Sequence, residues 1–167
     1  MAHVSPEVFL AISRQKARYG RYADTKQWDK WEKEIFLPDA RFSFFDTNGK
    51  PLKVGAQTFA FDSSKSLATF FKKFFASVDS LHNICPGDLE QVAPNEVKAV
   101  FGFEDQVMAK GLGAWAEIRG GGFYYETWKL VDGQWLIQDL RMERTYQKMT
   151  FLVSLTLTIA SVFGIAL

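Results

Sequence analysis

From Leu81 onward the hydrophobic period of the chain changes from helical to alternating, and that change restricts the fold more than any other feature. Before it, apolar residues recur at three- and four-residue spacing. After it, residues 82–92, 96–108, 113–131 and 134–143 read as four long strands. Asp132-Gly133 supplies a two-residue hairpin turn between the last two. Gly120-Gly121-Gly122 interrupts the long third strand, which predicts a bulge or a sharp bend. Helices followed by a meander of long strands predict an α+β domain. A bent antiparallel sheet of this kind curls into a cone over the N-terminal helices, and the open end of the cone is a natural pocket.

The first part of the chain supplies those helices. Ser5-Pro6-Glu7 is a helix start, with a capping hydroxyl, a proline in the first turn and then an acid. Val8, Ile12 and Tyr19 share a face, so the helix runs to about Arg18. A second helix is expected from about Asp24, with Trp28, Trp31 and Ile35 on its apolar side and Pro38 as its stop. Residues 40–45 give a short strand signal, Asp46-Thr47-Asn48-Gly49 a tight turn, and residues 53–61 another strand. Asp62-Ser63-Ser64 caps the strongest helix. Leu67, Phe70, Phe71, Phe74, Phe75 and Val78 form its buried face, and Lys65, Lys72 and Lys73 fall outside it.

A chain of 167 residues fits one domain. Sixteen Phe and five Trp suit a thick core or a pocket for a flat hydrophobic ligand. The 20 basic and 19 acidic residues leave a net charge of +1 with no basic stripe, which argues against nucleic acid as a partner. The single cysteine, Cys85, excludes an internal disulfide and a cysteine-based metal cluster, and reads as a buried inert thiol. Two histidines far apart in sequence make no metal site. No glycine-rich phosphate loop appears, so no cofactor is implied. Residues 151–167 carry no charge and would span roughly 25 Å as a helix, a little short of a bilayer core of about 30 Å. Arg144 and Lys148 just before them suit a cytosolic flank. Two readings stand: a membrane anchor over 149–167 that tethers a cytosolic domain of residues 1–148, or an apolar lid over the pocket.

Several anchors then resemble one family. Tyr22-Ala23-Asp24-Thr25-Lys26-Gln27-Trp28-Asp29, Leu81-His82-Asn83-Ile84, Asn95-Glu96-Val97 and Trp128-Lys129-Leu130-Val131-Asp132-Gly133-Gln134-Trp135 are similar, in order, to segments of the fungal scytalone dehydratases. These belong to the polyketide-cyclase-like (SnoaL-like) branch of the nuclear-transport-factor-2-like superfamily. The resemblance covers about residues 5–146 and implies a helix-packed conical sheet and cofactor-free proton-transfer chemistry. By position it makes Asp24 the family's aspartate and His82 its first histidine. The second histidine has no counterpart in Gln106-Val107-Met108. The two water-holding tyrosines fall on Ala23 and Phe44, and the family's serine and asparagine fall near Gly122 and Tyr124. The polar lining is thus rebuilt, which argues against scytalone itself as substrate.

His82 is the candidate general acid–base, since a free histidine titrates at roughly pH 6.5 and can both take and give a proton. The plain alternative is a satisfied core histidine. Asp24 would orient it, or would merely cap a helix through the Asp24-x-x-Gln27 capping box. Tyr22, Tyr124, Glu126, Phe44 and Trp128 are candidate substrate-binding residues. Tyr124, Glu126 and Trp128 alternate on one strand face, where Glu126 is a pocket acid, a solvent-facing group or a partner of Arg141. Trp115, Glu117 and Arg119 raise the same question of face. The expected function is a dehydratase, isomerase or cyclase acting on a polycyclic, oxygen-rich polyketide or meroterpenoid. A non-catalytic binding or assembly module of the same fold is the alternative, with pairing of two copies through the sheet left open. A weaker third idea, an epoxide hydrolase, would draw on Asp139 and Arg141.

Overall fold

The computed structural model describes residues 4–54, 57–112 and 115–156. Helix α1 (Pro6–Asp24) starts as its sequence dictates: Ser5 caps it by accepting from the Val8 N–H, and Pro6 opens its first turn. It runs six residues past Arg18, because Tyr19, Tyr22 and Ala23 extend the buried face. Asp24 therefore ends the first helix rather than starting the second. Helix α2 (Trp28–Ile35) begins after a turn in which Lys26 takes φ 59°, and it buries Trp28, Trp31 and Ile35. It stops before Pro38, which lies inside strand β1 (Phe36–Phe45). There its missing N–H falls in the stretch between Phe36 and Arg41 where pairing to the neighbouring strand shifts register.

The strand expected over 53–61 is broken into three short pieces, β2 (Lys53–Val54), β3 (Gln57–Thr58) and β4 (Ala60–Phe61). Helix α3 (Ser64–Phe74) is capped by Ser63, which accepts from the Ser66 N–H, and it buries Leu67, Ala68 and Phe71. A 3₁₀ turn over Phe75–Ser77 leads into β5 (Val78–Ala93). Strands β6 (Glu96–Ala109), β7 (Glu117–Val131) and β8 (Gln134–Met149) complete the meander, with Asp132 and Gly133 at φ 48° and 77° in the last hairpin.

The six-stranded sheet runs β4-β1-β8-β7-β6-β5. It is mixed, and this corrects the all-antiparallel expectation: β1 pairs with β8 in parallel, Phe42 opposite Leu140 and Phe44 opposite Met142. Helix α3 carries the chain from one edge of the sheet to the other. The meander then walks back, and its fourth strand arrives beside β1 pointing the same way. The register shift between Gly121 and Gly122 is the bend that the glycine run predicted.

The inner face of the sheet and the three helices enclose an aromatic core. The Trp31 ring stands edge-on to Phe36 at 4.9 Å and to Phe71 at 5.9 Å. Cys85 is exposed rather than buried, on the outward side of β5. Residues 151–156 form a helical segment after β8, and residues 157–167 of the expected anchor or lid lie outside the described residues. No helix among the described residues is long and apolar enough to cross a membrane.

Candidate functional site

The site is assembled where the end of α1 meets the start of β5. Gly20 makes that approach close: a Cβ there would stand 3.2 Å from Ile84 Cδ1 and 3.4 Å from His82 Cβ. Four residues on, the Asp24 carboxylate reaches His82. Asp24 Oδ1 lies 2.7 Å from His82 Nδ1, and Oδ2 accepts the His82 backbone N–H at 2.9 Å. Ser80 Oγ donates to Oδ1 at 2.9 Å and itself accepts from Lys26 Nζ at 3.2 Å. The capping box is not formed, because Asp24 sits in the last turn of α1 and Gln27 donates instead to Thr25 Oγ1.

Burial alone would raise the Asp24 carboxyl. Hydrogen bonds from the His82 ring and backbone and from Ser80, with the His82 charge, outweigh burial and hold it below the ordinary carboxylate range. An ionised Asp24 accepts from Nδ1–H, which leaves Nε2 as the basic nitrogen. No hydrogen bond to Nε2 forms among the described residues. With a depressed folded value, the stability from Asp24 is complete above the unfolded value near pH 4 and is lost as pH falls through the lower folded one. Asp24→Asn is therefore expected to flatten the acid limb of the stability curve below about pH 4 and to leave its neutral side level. Thermal melts across that range check this.

His82 lines a cavity of about 230 Å³ walled mainly by Tyr19, Trp28, Trp31, Phe44, Phe71 and Tyr124. Its ring lies 6.4 Å from that of Phe75. Asp24 stands behind His82 rather than in the wall. Of the candidate binding residues, Phe44 and Tyr124 reach this cavity. Tyr22 does not, since its hydroxyl donates to Glu34 Oε2 at 2.8 Å. Glu126 and Trp128 are inward-facing but lie deeper under α1. Glu126 pairs with Lys16 at 2.5 Å and accepts from Trp128 Nε1 at 2.9 Å, so it is neither a pocket acid nor a partner of Arg141. Burial raises Glu126 and lowers Lys16, and each is pulled back by the other's charge. The Lys16 ammonium rests over the rings of Tyr19 and Tyr124, at 3.9 and 3.7 Å.

Two cavity residues had no motif to announce them. Asp105 on β6 and Arg144 on β8 form a fork-on-fork pair, Nη1–Oδ1 3.0 Å and Nη2–Oδ2 2.6 Å, and both line the cavity. Arg144 is thus part of a cavity wall rather than a membrane flank. A periodic inward-facing acid on β6 and an inward-facing base on β8 were the available signal. Gln106, in the stretch matching the family's second histidine, donates to Glu117. Trp115 is exposed, and Glu117 and Arg119 pair with each other.

A broader depression of about 770 Å³ lies on the outer face of the sheet, among Arg41, Lys98, Asp139 and Arg141. It is open, and its two arginines are paired: Arg41 holds Asp139, and Arg141 holds Glu143. Asp139 and Arg141 are therefore separated from the His82 cavity by the sheet, which removes the basis for an epoxide hydrolase. No group of three or more His, Cys, Asp or Glu suited to a metal ion occurs among the described residues.

Comparison with known proteins fits this architecture. Residues 7–141 match the family model of the SnoaL-like domain. Over 146 residues the chain is 37% identical to the probable cyclase FGR4 of Gibberella zeae, covering 87% of this chain and 97% of that protein. A scytalone dehydratase candidate from Novosphingobium aromaticivorans superposes with a TM-score of 0.68 at 15% identity, covering 83% of this chain and 84% of that one. A hexachlorocyclohexane dehydrochlorinase (LinA type 2) does so with a TM-score of 0.68 at 13% identity, covering 84% and 86%. These two structures share the fold, and the domain match and the cyclase relative carry the kinship: the chain belongs to the SnoaL-like domain family.

Proposed function

We propose that this protein is a cofactor-independent acid–base enzyme of the cyclase or dehydratase type, with a polycyclic polyketide or meroterpenoid intermediate as substrate. The observation that carries the reading is the Asp24–His82 pair, with Nδ1 held at 2.7 Å and Nε2 unengaged beside an aromatic cavity. His82 takes a proton from carbon next to a carbonyl and returns it elsewhere on the substrate. Asp24 is a positioning residue that sets the tautomer and balances the imidazolium as it forms. Tyr124 stays a neutral phenol, because burial pushes its hydroxyl well above the usual value, and its hydrogen bond with Tyr19 holds it in the cavity wall. Phe44 and the tryptophans Trp28 and Trp31 shape the space for fused rings. The name of the Gibberella zeae relative favours cyclisation.

The test needs only an enolisable bicyclic ketone. In D₂O the protein should accelerate exchange of the α-protons of β-tetralone, followed by proton NMR. Asp24→Asn should slow that exchange by at least about tenfold, because the amide no longer enforces the reactive tautomer. Exchange no faster than in buffer with heat-unfolded protein would sink the proposal and favour a module that binds without reacting.

A further inference from the structure

We propose that the Arg144–Asp105 pair is the carbonyl-binding subsite of this cavity, and that it selects a neutral ketone or enol over a carboxylate. The inference rests on the enolisation reading above and names the substrate group that faces His82.

The placement follows from strand register. His82 on β5 is directly opposite Asp105 on β6, and Asp105 is directly opposite Gly120 on β7. Directly opposed residues point to the same face with Cβ atoms about 4.5–5.5 Å apart, so Asp105 is the lateral neighbour of His82 on the cavity side. Arg144 comes from β8, one strand further on, and reaches Asp105 by crossing Gly120. A Cβ at Gly120 would overlap Arg144 Nη1. The glycine run therefore does more than bend β7: at Gly120 it is the gap through which a guanidinium enters the wall.

Asp105 occupies one N–H on each terminal nitrogen of Arg144. A guanidinium has five N–H donors in a fixed fork, so the remaining three stay available to an acceptor in the cavity. When His82 Nε2 removes an α-proton, the C–H pair moves into the carbon–carbon bond of the enolate. The carbonyl oxygen takes the negative charge, and an N–H of Arg144 holds it. The charge balance sets the preference. Arg144 is neutralised by Asp105 and His82 is matched by Asp24, while Lys16 beneath the tyrosines is matched by Glu126. Lys53, exposed at the mouth, is the remaining lining cation among the described residues. The interior thus offers directed donors without net positive charge. A formal carboxylate would pay to desolvate and find no uncompensated cation inside.

Binding constants read from quenching of the cavity tryptophans test this without turnover. The probes are β-tetralone, its hydrocarbon tetralin and the anion β-naphthoate. The protein should bind β-tetralone about tenfold more tightly than either of the others. In Arg144→Met/Asp105→Leu, which removes the pair without stranding a buried charge, β-tetralone should fall to the affinity of tetralin while tetralin itself is unchanged. Gly120→Ala, which leaves both partners in place and crowds the guanidinium, should lose most of the ketone preference. Retained preference in the double variant, or naphthoate binding tighter than the ketone in the unaltered protein, would overturn the assignment. The same titration in His82→Ala should keep the preference. In the unaltered protein, no α-exchange with the ketone preference intact would count against the enzyme reading alone, and exchange without the preference against this subsite alone.

Discussion

Replacing His82 by alanine is expected to lower α-proton exchange in β-tetralone by about two to four orders of magnitude, the usual contribution of a positioned general base. The melting temperature should move by only a few degrees. Asp24 keeps the Ser80 hydroxyl and the backbone N–H of residue 82, neither of which belongs to the deleted ring. The substitution leaves a hole the size of an imidazole beside the cavity, so free imidazole should restore part of the rate. A merely structural histidine would show the reverse: rate preserved per folded molecule, stability lost and no rescue. Unchanged exchange in the variant would remove His82 from the mechanism.

The second large effect is on stability. Lys16→Met should destabilise the domain by roughly 3–5 kcal/mol, because it strands the Glu126 carboxylate in a site closed to water. For a chain of this size that corresponds to a drop on the order of 10 °C in the melting temperature. Lys16→Met/Glu126→Gln should recover more than half of the loss. The amide carries no charge, and its oxygen can still accept from Trp128 Nε1. Thermal melts of the two variants decide this. Equal destabilisation in both would mean that the ammonium matters through the rings of Tyr19 and Tyr124 rather than through Glu126.

Much of the fold could be read along the chain because its signals are local. The cap at Ser5, the Phe-rich face of α3, the Asp132-Gly133 turn and the alternation of the strands each depend on a few neighbouring residues. What escaped depends on distant ones. The parallel pairing of β1 with β8 follows from the route of α3, which no window of sequence contains. Tyr124, Glu126 and Trp128 were correctly grouped on one face. Which of them meets the cavity and which lies under α1 depends on the curvature of the sheet. Lys16 hid in the same way, since a lysine on a helix reads as solvated until its buried partner is known. His82 and Asp24 stood out through family position. Asp105 and Arg144, thirty-nine residues apart and lacking any shared motif, became neighbours through register alone.

The position of β8 between β1 and β7 also orders events in time. Of the strands described, it is the last to be synthesised, yet it joins the earliest strand to the meander. While its residues are still within the ribosome, β1 has only β4 to pair with, and β7 presents an open edge. Closure of the sheet therefore awaits β8, and its contacts with β1, of long sequence separation, form last. During that interval the half-built sheet exposes the aromatic surface that later walls the cavity. Binding by a chaperone, or by the ligand itself, would have its greatest influence on yield at that stage.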